Sequence, residues 1–153
     1  MTIRIEDILT PERTLTDAPV SSKKKLLEYL ASFIANQTQS SATDIFERLL
    51  SRERLGSTGI GEGIAIPHCR LPTCKQPFGL LLKLDEAIDF DAMDHRPVDL
   101  VFALVVPEEA NNQHLQVLAM LARNFTEPEF REALRNAPDA KQLYQRAISM
   151  QQL

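Results

Sequence analysis

Most residues that staple or mark a special architecture are scarce in this chain. Two cysteines and no tryptophan in 153 residues leave no disulfide framework, and that usage suits a reducing compartment. Five glycines and nine prolines are too few for a collagen-like or low-complexity chain. A basic surplus is missing too. Lysine and arginine number 17 against 21 acids, a formal charge of −4, which argues against a nucleic-acid partner because phosphate backbones need a cationic footprint. The longest candidate stretch, Val98 to Val106, falls far short of the ~18 residues that read as a membrane span. The opening MTIRIEDILTPERTL alternates acids and bases and lacks the apolar block of a secretion signal. The expectation is a cytoplasmic protein with no membrane insertion.

The 44% hydrophobic and 25% charged fractions are those of an ordinary globular protein. A chain of this length buries roughly 70% of its unfolded surface, so one domain, residues 1–153, is expected. After a lead with Ile5, Ile8 and Leu9, a helix opens at Ser21 or Ser22. It carries Leu26, Leu27, Leu30, Phe33 and Ile34 on one face. Asn36 to Ser41 reads as a connector. A second helix spans Ala42 to Glu53, with Ser41 and Asp44 in capping-box spacing. Strands are expected at Phe78–Leu84 and Val98–Val106, with an acidic turn region, Asp85–Pro97, between them. A long helix from Asn111 to Asn124 follows, then one or two more opened by Pro128 and Pro138. That order predicts an α/β, single-domain layered fold, a mixed sheet of about five strands flanked by helices on both faces.

Four of the five glycines fall in GSTGIGEG, Gly56 to Gly63. Their spacing is neither a Walker loop nor the dinucleotide fingerprint. The run IAIPHCR follows, with Pro67 keeping Ile66 extended. His68 therefore lies beside a glycine loop at the end of a short strand, where α/β sheets gather ligands. His114 lies in the first turn of the long helix, where free N–H groups favour an anion. If the strands ending at Ile66 and Val106 are parallel neighbours, the two imidazoles share a cleft suited to a phosphoryl group. His95 sits in an acidic turn without such surroundings. Arg48, Arg52 and Arg54 crowd the end of the second helix, where cations complement the dipole. One of them could instead reach a phosphate, and spacing alone does not choose which.

Other combinations carry less. His68, Cys69 and Cys74 in HCRLPTC have no second ligand pair for zinc. Ser57 lies in no GxSxG setting. The acids from Asp85 to Asp99 miss calcium-loop spacing. Lys23, Lys24 and Lys25 read as a solvated face or a patch for an acidic partner. Ile60, Ile64, Ile66 and Leu71 flank His68 and offer apolar docking surface if exposed.

At GSTGIGEGIAIPH, residues 56–68, the chain resembles the mannitol/fructose-type EIIA domains of the bacterial phosphotransferase system, most of all the nitrogen-related branch, EIIA-Ntr. The likeness extends over nearly the whole length, from LTPER through RPVDLVFALVVP to NNQHLQVLAML. It implies that His68 is the phosphorylated histidine, at Nε2, and that His114 in the NN-x-H motif is the second active-site histidine, donating to and orienting the phosphate. It also implies that the active-site arginine, sixteen positions before His68, is Arg52. Gly59, Gly61 and Gly63 are expected to assist as a phosphate loop. Two departures stand out: Cys69 where members often have glycine, and Glu62 where many have asparagine.

The implied function is a phosphohistidine carrier accepting its phosphoryl group from an HPr-like phosphocarrier, NPr in this branch. It needs no metal and no organic cofactor. Its phosphorylation state would regulate sensor kinases, potassium transport proteins or metabolic enzymes in nitrogen and potassium control. With no EIIB, EIIC or HPr-like segment attached, the regulatory branch is favoured over a sugar-specific EIIA that passes phosphate to a separate EIIB. Rivals of other kinds are a hydrolase using Ser57, a histidine metal site, and a docking module that is never phosphorylated.

Overall fold

The computed structural model describes residues 3–109 and 112–152. Its elements in chain order are β1 (Thr14–Ala18), α1 (Lys23–Thr38), α2 (Ala42–Arg54), β2 (Gly59–Gly61), β3 (Ile64–Ala65), β4 (His68–Leu71), β5 (Phe78–Ile88), β6 (Val98–Pro107), α3 (Gln113–Thr126), α4 (Pro128–Arg135) and α5 (Ala140–Ser149). Two single turns of 3-10 helix, Ile5–Asp7 and Pro11–Arg13, precede them.

Six strands form one mixed sheet in the order β1-β5-β6-β3-β2, with β4 pairing β6 beyond β3. The β5–β6 pair is antiparallel. The β1–β5, β3–β6 and β4–β6 pairs are parallel. β6 shows why the sheet needs cover on both faces. Val101, Ala103 and Val105 pack in one buried cluster with α1 and α2, while Leu100, Phe102, Leu104 and Val106 pack in a second with α3, α4 and α5. Side chains of a strand alternate between faces, so a near-continuous apolar strand must be buried twice.

Caps set the helices. Ser22 Oγ accepts the Lys25 N–H at 3.1 Å and Ser41 Oγ accepts the Asp44 N–H at 3.2 Å, satisfying donors that helix starts leave free. Leu26, Leu27, Leu30, Ala31 and Ile34 are all buried. Phe33 only flanks that core.

The structure corrects several boundaries. The first helix runs through Asn36 and Thr38 and stops at Gln39, whose left-handed φ of 58° ends it, so the connector is shorter than Asn36–Ser41. β5 continues through Asp85 and Glu86 to Ile88. The acidic segment is therefore partly an overhanging strand, with exposed acids and a buried Ile88 against Val98. Pro128 opens α4, but Pro138 precedes Asp139, the residue whose side chain caps α5. The mixed sheet, expected at about five strands, has six among the described residues, with Pro67, which lacks an N–H, between β3 and β4. The expected start of α3 at Asn111 lies outside the described residues. No helix among them is long and apolar enough to cross a membrane.

Candidate functional site

The interrupted strand decides where His68 goes. Ile64 and Ile66 belong to the α3-side cluster, whereas Ala65, Cys69 and Leu71 belong to the α1–α2 side. By that alternation His68 and Arg70 project toward α3. His68 is the first residue of β4 and sits in register with Leu104, near the carboxyl end of β6. β2 covers β3 but does not extend to β4. That leaves a cleft of about 750 Å³ between α2, β4 and α3, with Arg48, Arg52, His68, Arg70, His114 and Leu115 in its lining. The parallel arrangement expected from the sequence thus brings both histidines to one cleft.

Hydrogen bonding assigns the His68 tautomer. Its Nδ1 lies 2.9 Å from the Ile66 carbonyl oxygen, and a carbonyl only accepts, so Nδ1 carries the proton. Arg52 Nε donates to Nε2 at 3.2 Å, and Arg52 Nη1 donates to the Gly56 carbonyl at 2.8 Å. Nε2 therefore holds a lone pair that faces a guanidinium. Burial, the largest cause, keeps the His68 pKa below the ordinary 6.5, and the Arg52 charge acts in the same direction. Of the three arginines that spacing left open, Arg52 is the one bonded to His68. Arg48 is taken up by Asp44, at 3.1 Å, and by the Arg70 carbonyl.

His114 lines the same cleft, and its ring is bonded to a third arginine. Arg70 Nη2 lies 3.2 Å from His114 Nε2. A guanidinium has no lone pair, so Nε2 accepts and cannot at the same time donate to a phosphate oxygen. His114 Nδ1, which must carry the proton, is buried without a partner among the described residues.

Gly59, Gly61 and Gly63 lie outside the cleft lining. They turn the β2–β3 hairpin, with positive φ at Gly61, Glu62 and Gly63. A Cβ on Gly63 would run into Arg135 Nη2 and come within 2.9 Å of Asp99 Oδ1. Arg135 Nη2 donates to the Glu62 carbonyl, and its Nε lies 3.0 Å from Asp99 Oδ2. Gly63 thus makes room for a structural arginine, while Gly59 packs on Ala92 and Gly61 on Asp94. Glu62, where many members have asparagine, pairs with Arg96 at 2.9 Å. Ser57 Oγ donates to the Phe90 carbonyl at 2.8 Å, which leaves its hydroxyl committed away from either cleft histidine. His95 is exposed at a positive φ of 61°. Cys69 faces the core, and burial pushes its thiol up to about 12.

Composition and spacing missed three features. Lys23 is not a solvated cation: its Nζ lies 3.0 Å from the buried Glu53 Oε1 and 4.6 Å from the Phe90 ring centroid. Glu53 also accepts the Thr58 N–H at 3.1 Å and the Thr58 hydroxyl. This fixes the Gly56–Thr58 segment whose carbonyl holds Arg52. Ile64, Ile66 and Leu71 are buried, so they offer no docking surface. The exposed apolar residues at the cleft are Leu55, 84% exposed, and Leu115, 56% exposed. Arg70 is the third, and the alternation in His68-Cys69-Arg70 was the available signal.

Residues 7–149 match the family described as phosphoenolpyruvate-dependent sugar phosphotransferase system, EIIA 2. The chain belongs to this EIIA family. Among its relatives, the nitrogen regulatory protein of Pseudomonas aeruginosa is 49% identical over 150 residues, 97% of each chain. The crystal structure of nitrogen regulatory protein IIA-Ntr from Neisseria meningitidis superposes with a TM-score of 0.88 at 40% identity, over 94% of this chain and 98% of that one. Mannitol IIA from Escherichia coli shares the fold, with a TM-score of 0.75 at 18% identity over 91% of this chain and 98% of that one. This EIIA chain is thus a phosphotransferase-system component whose relatives are named for nitrogen regulation.

Proposed function

We propose that this EIIA chain is a phosphohistidine carrier, with His68 Nε2 as the nucleophile and Arg52 as its countercharge. The observation that carries the reading is the tautomer: Nδ1–H is held by the Ile66 carbonyl, and the Nε2 lone pair faces an open cleft with Arg52 at 3.2 Å. The donor is the phosphohistidine of an HPr-like carrier, NPr in the nitrogen branch. Its P–N bond breaks and the electron pair stays on the carrier's imidazole, while the Nε2 lone pair forms the new P–N bond. The Nδ1 proton stays where it is. The positive charge of an N-phosphorylated ring passes across with the phosphoryl group, so no proton has to move.

Phosphoryl transfer goes through a loose transition state with charge on the equatorial oxygens. Positioned donors therefore do most of the work, and Arg52 need only slide its fork from Nε2 to those oxygens. Lowering the His68 pKa keeps the ring unprotonated and nucleophilic. No step calls for a metal or organic cofactor. Phosphorylation places about two negative charges beside the exposed Leu55 and Leu115. Charge added at an apolar rim disfavours a partner docked there, and this is the route by which the chain regulates proteins of nitrogen and potassium control.

Intact mass after incubation with enzyme I, an HPr-like carrier and phosphoenolpyruvate tests the carrier reading. Wild type should gain one acid-labile phosphoryl group and His68→Ala none; no gain by wild type overturns it. Identical partner sets recovered by phosphorylated, unphosphorylated and His68→Asp protein would remove the regulatory part alone.

A further inference from the structure

One guanidinium balances only half of a phosphoryl group that carries about two negative charges, and the cleft holds a second. Arg70 stands two residues after His68 on β4, on the same side of the strand by alternation, and both line the cleft. Among the described residues no carboxylate lies within ion-pair distance of Arg70 or Arg52, although Arg48 in the same wall is paired with Asp44 and Glu108. The acids of the lining are thus drawn to Arg48 or, like Glu47, stand exposed. The polar partner that Arg70 does have is His114 Nε2, at 3.2 Å.

We propose that Arg70 is the second phosphoryl-binding cation of the cleft, held by His114 while His68 is bare and transferred to the phosphoryl oxygens when His68 is loaded. The proposal rests on the carrier reading of His68. His114 suits the holding role because a neutral imidazole with its proton on Nδ1 offers one acceptor, at Nε2, and asks for no countercharge. The bond to a neutral ring is weaker than one to a phosphoryl dianion, since ionic acceptors roughly double the strength of a guanidinium bond. The fork therefore leaves His114 when the dianion arrives. The movement needs only side-chain rotation of an exposed arginine on a fixed strand. It frees His114 Nε2 of its donor, so the imidazole ring registers whether the site is loaded.

The test compares wild type, Arg70→Gln, Arg70→Lys and the distant, exposed Arg96→Gln, each loaded with enzyme I, an HPr-like carrier and phosphoenolpyruvate. Readouts are the phosphorylated fraction at equilibrium with the carrier, the lifetime of the phosphoryl group, and ¹⁵N imidazole shifts of His114. Arg70→Gln should weaken the hold on the phosphoryl group roughly 10- to 100-fold, the worth of one or two charged hydrogen bonds. Arg70→Lys should recover part of it, a point charge replacing a fork, and Arg96→Gln should match wild type. His114 Nε2 should lose its hydrogen-bond shift on loading in wild type, and already before loading in Arg70→Gln. If Arg70→Gln loads and holds phosphate as wild type does, or the His114 shifts ignore loading, the proposal is wrong while the carrier reading stands. If wild type takes no phosphoryl group, both fall. Thermal unfolding of the Arg70 variants controls for folding; an exposed site predicts little change.

Discussion

Two groups of arginines stand at opposite ends of the β2–β3–β4 segment, and their partners differ. At the glycine turn, Arg135 is bonded to Asp99, and Arg96 and Arg131 share Glu62. Each guanidinium there is neutralised, and together they pin the turn to α4. In the cleft, Arg52 and Arg70 bond to imidazole nitrogens and to the Gly56 carbonyl. Paired cations hold a backbone in place, while the cleft pair, on the proposed carrier reading, keep their charge for an anion that comes and goes. The Gly61–Gly63 turn of the glycine-rich stretch, which looks like the anion site in the sequence, belongs to the first group, while Gly56 at its other end holds Arg52.

The sharpest way to break this contrast is to remove one arginine from each. Arg52→Ala should slow phosphoryl transfer to His68 by about 10²- to 10³-fold, as loss of one preorganised donor does elsewhere, with little change in melting temperature. Arg135→Ala should do the reverse. Stability should fall by about 1–3 kcal/mol, because Asp99 and the Glu62 carbonyl lose their partner, while phosphoryl uptake is kept. Stopped transfer assays and urea unfolding measure the two sides; equal effects of both variants on both readouts would dissolve the distinction.

Glu53→Gln links the two behaviours and sharpens the comparison. It strips Lys23 of its buried partner, with an expected cost of about 1–3 kcal/mol. It also loosens the Gly56–Thr58 segment that aims Arg52, so transfer should slow less than in Arg52→Ala. Recovery of the transfer rate, but not of the stability, by Glu53→Asp would show that aim and stability are separate.

Acid titration gives a smaller effect. Burial holds the His68 pKa below 6.5, so the ring stays neutral as pH falls past 6.5 and transfer should decline only at lower pH. The linkage sign follows. The unfolded chain takes up this proton first, so folding loses stability as pH falls from about 6.5 to the folded pKa, and the loss then levels off. NMR titration of the His68 ring checks the order. The smallest effect is on thiols: Cys69, pushed up to about 12 by burial, should resist alkylation at pH 8 that Cys74, half-buried, undergoes first.

Layering was legible in the sequence because its signals are periodic. β6 reads as a strand buried on both faces, and α1 and α2 announce themselves by Ser22, Ser41 and their leucine stripes. His68 and His114 could be placed near one another because strand and helix ends converge in parallel α/β units. Pairing was not legible. Nothing in the spacing shows that Lys23 reaches Glu53 across Phe90, that Arg135 fills the gap left by Gly63, or that Arg70 occupies His114 Nε2. These contacts join residues 30 to 72 positions apart, and only the tertiary packing brings them together. The glycines misled for a physical reason: a positive φ that suits a phosphate cradle equally suits a tight hairpin around a guanidinium.

The central claim is that the cleft presents His68 Nε2, with Nδ1 kept protonated by the Ile66 carbonyl. Long-range ¹H–¹⁵N and ³¹P spectra of the phosphorylated protein locate the P–N bond directly. The account predicts phosphorus on Nε2 of His68, with a protonated Nδ1 still hydrogen-bonded; phosphorus on Nδ1, or on any other residue, would contradict it.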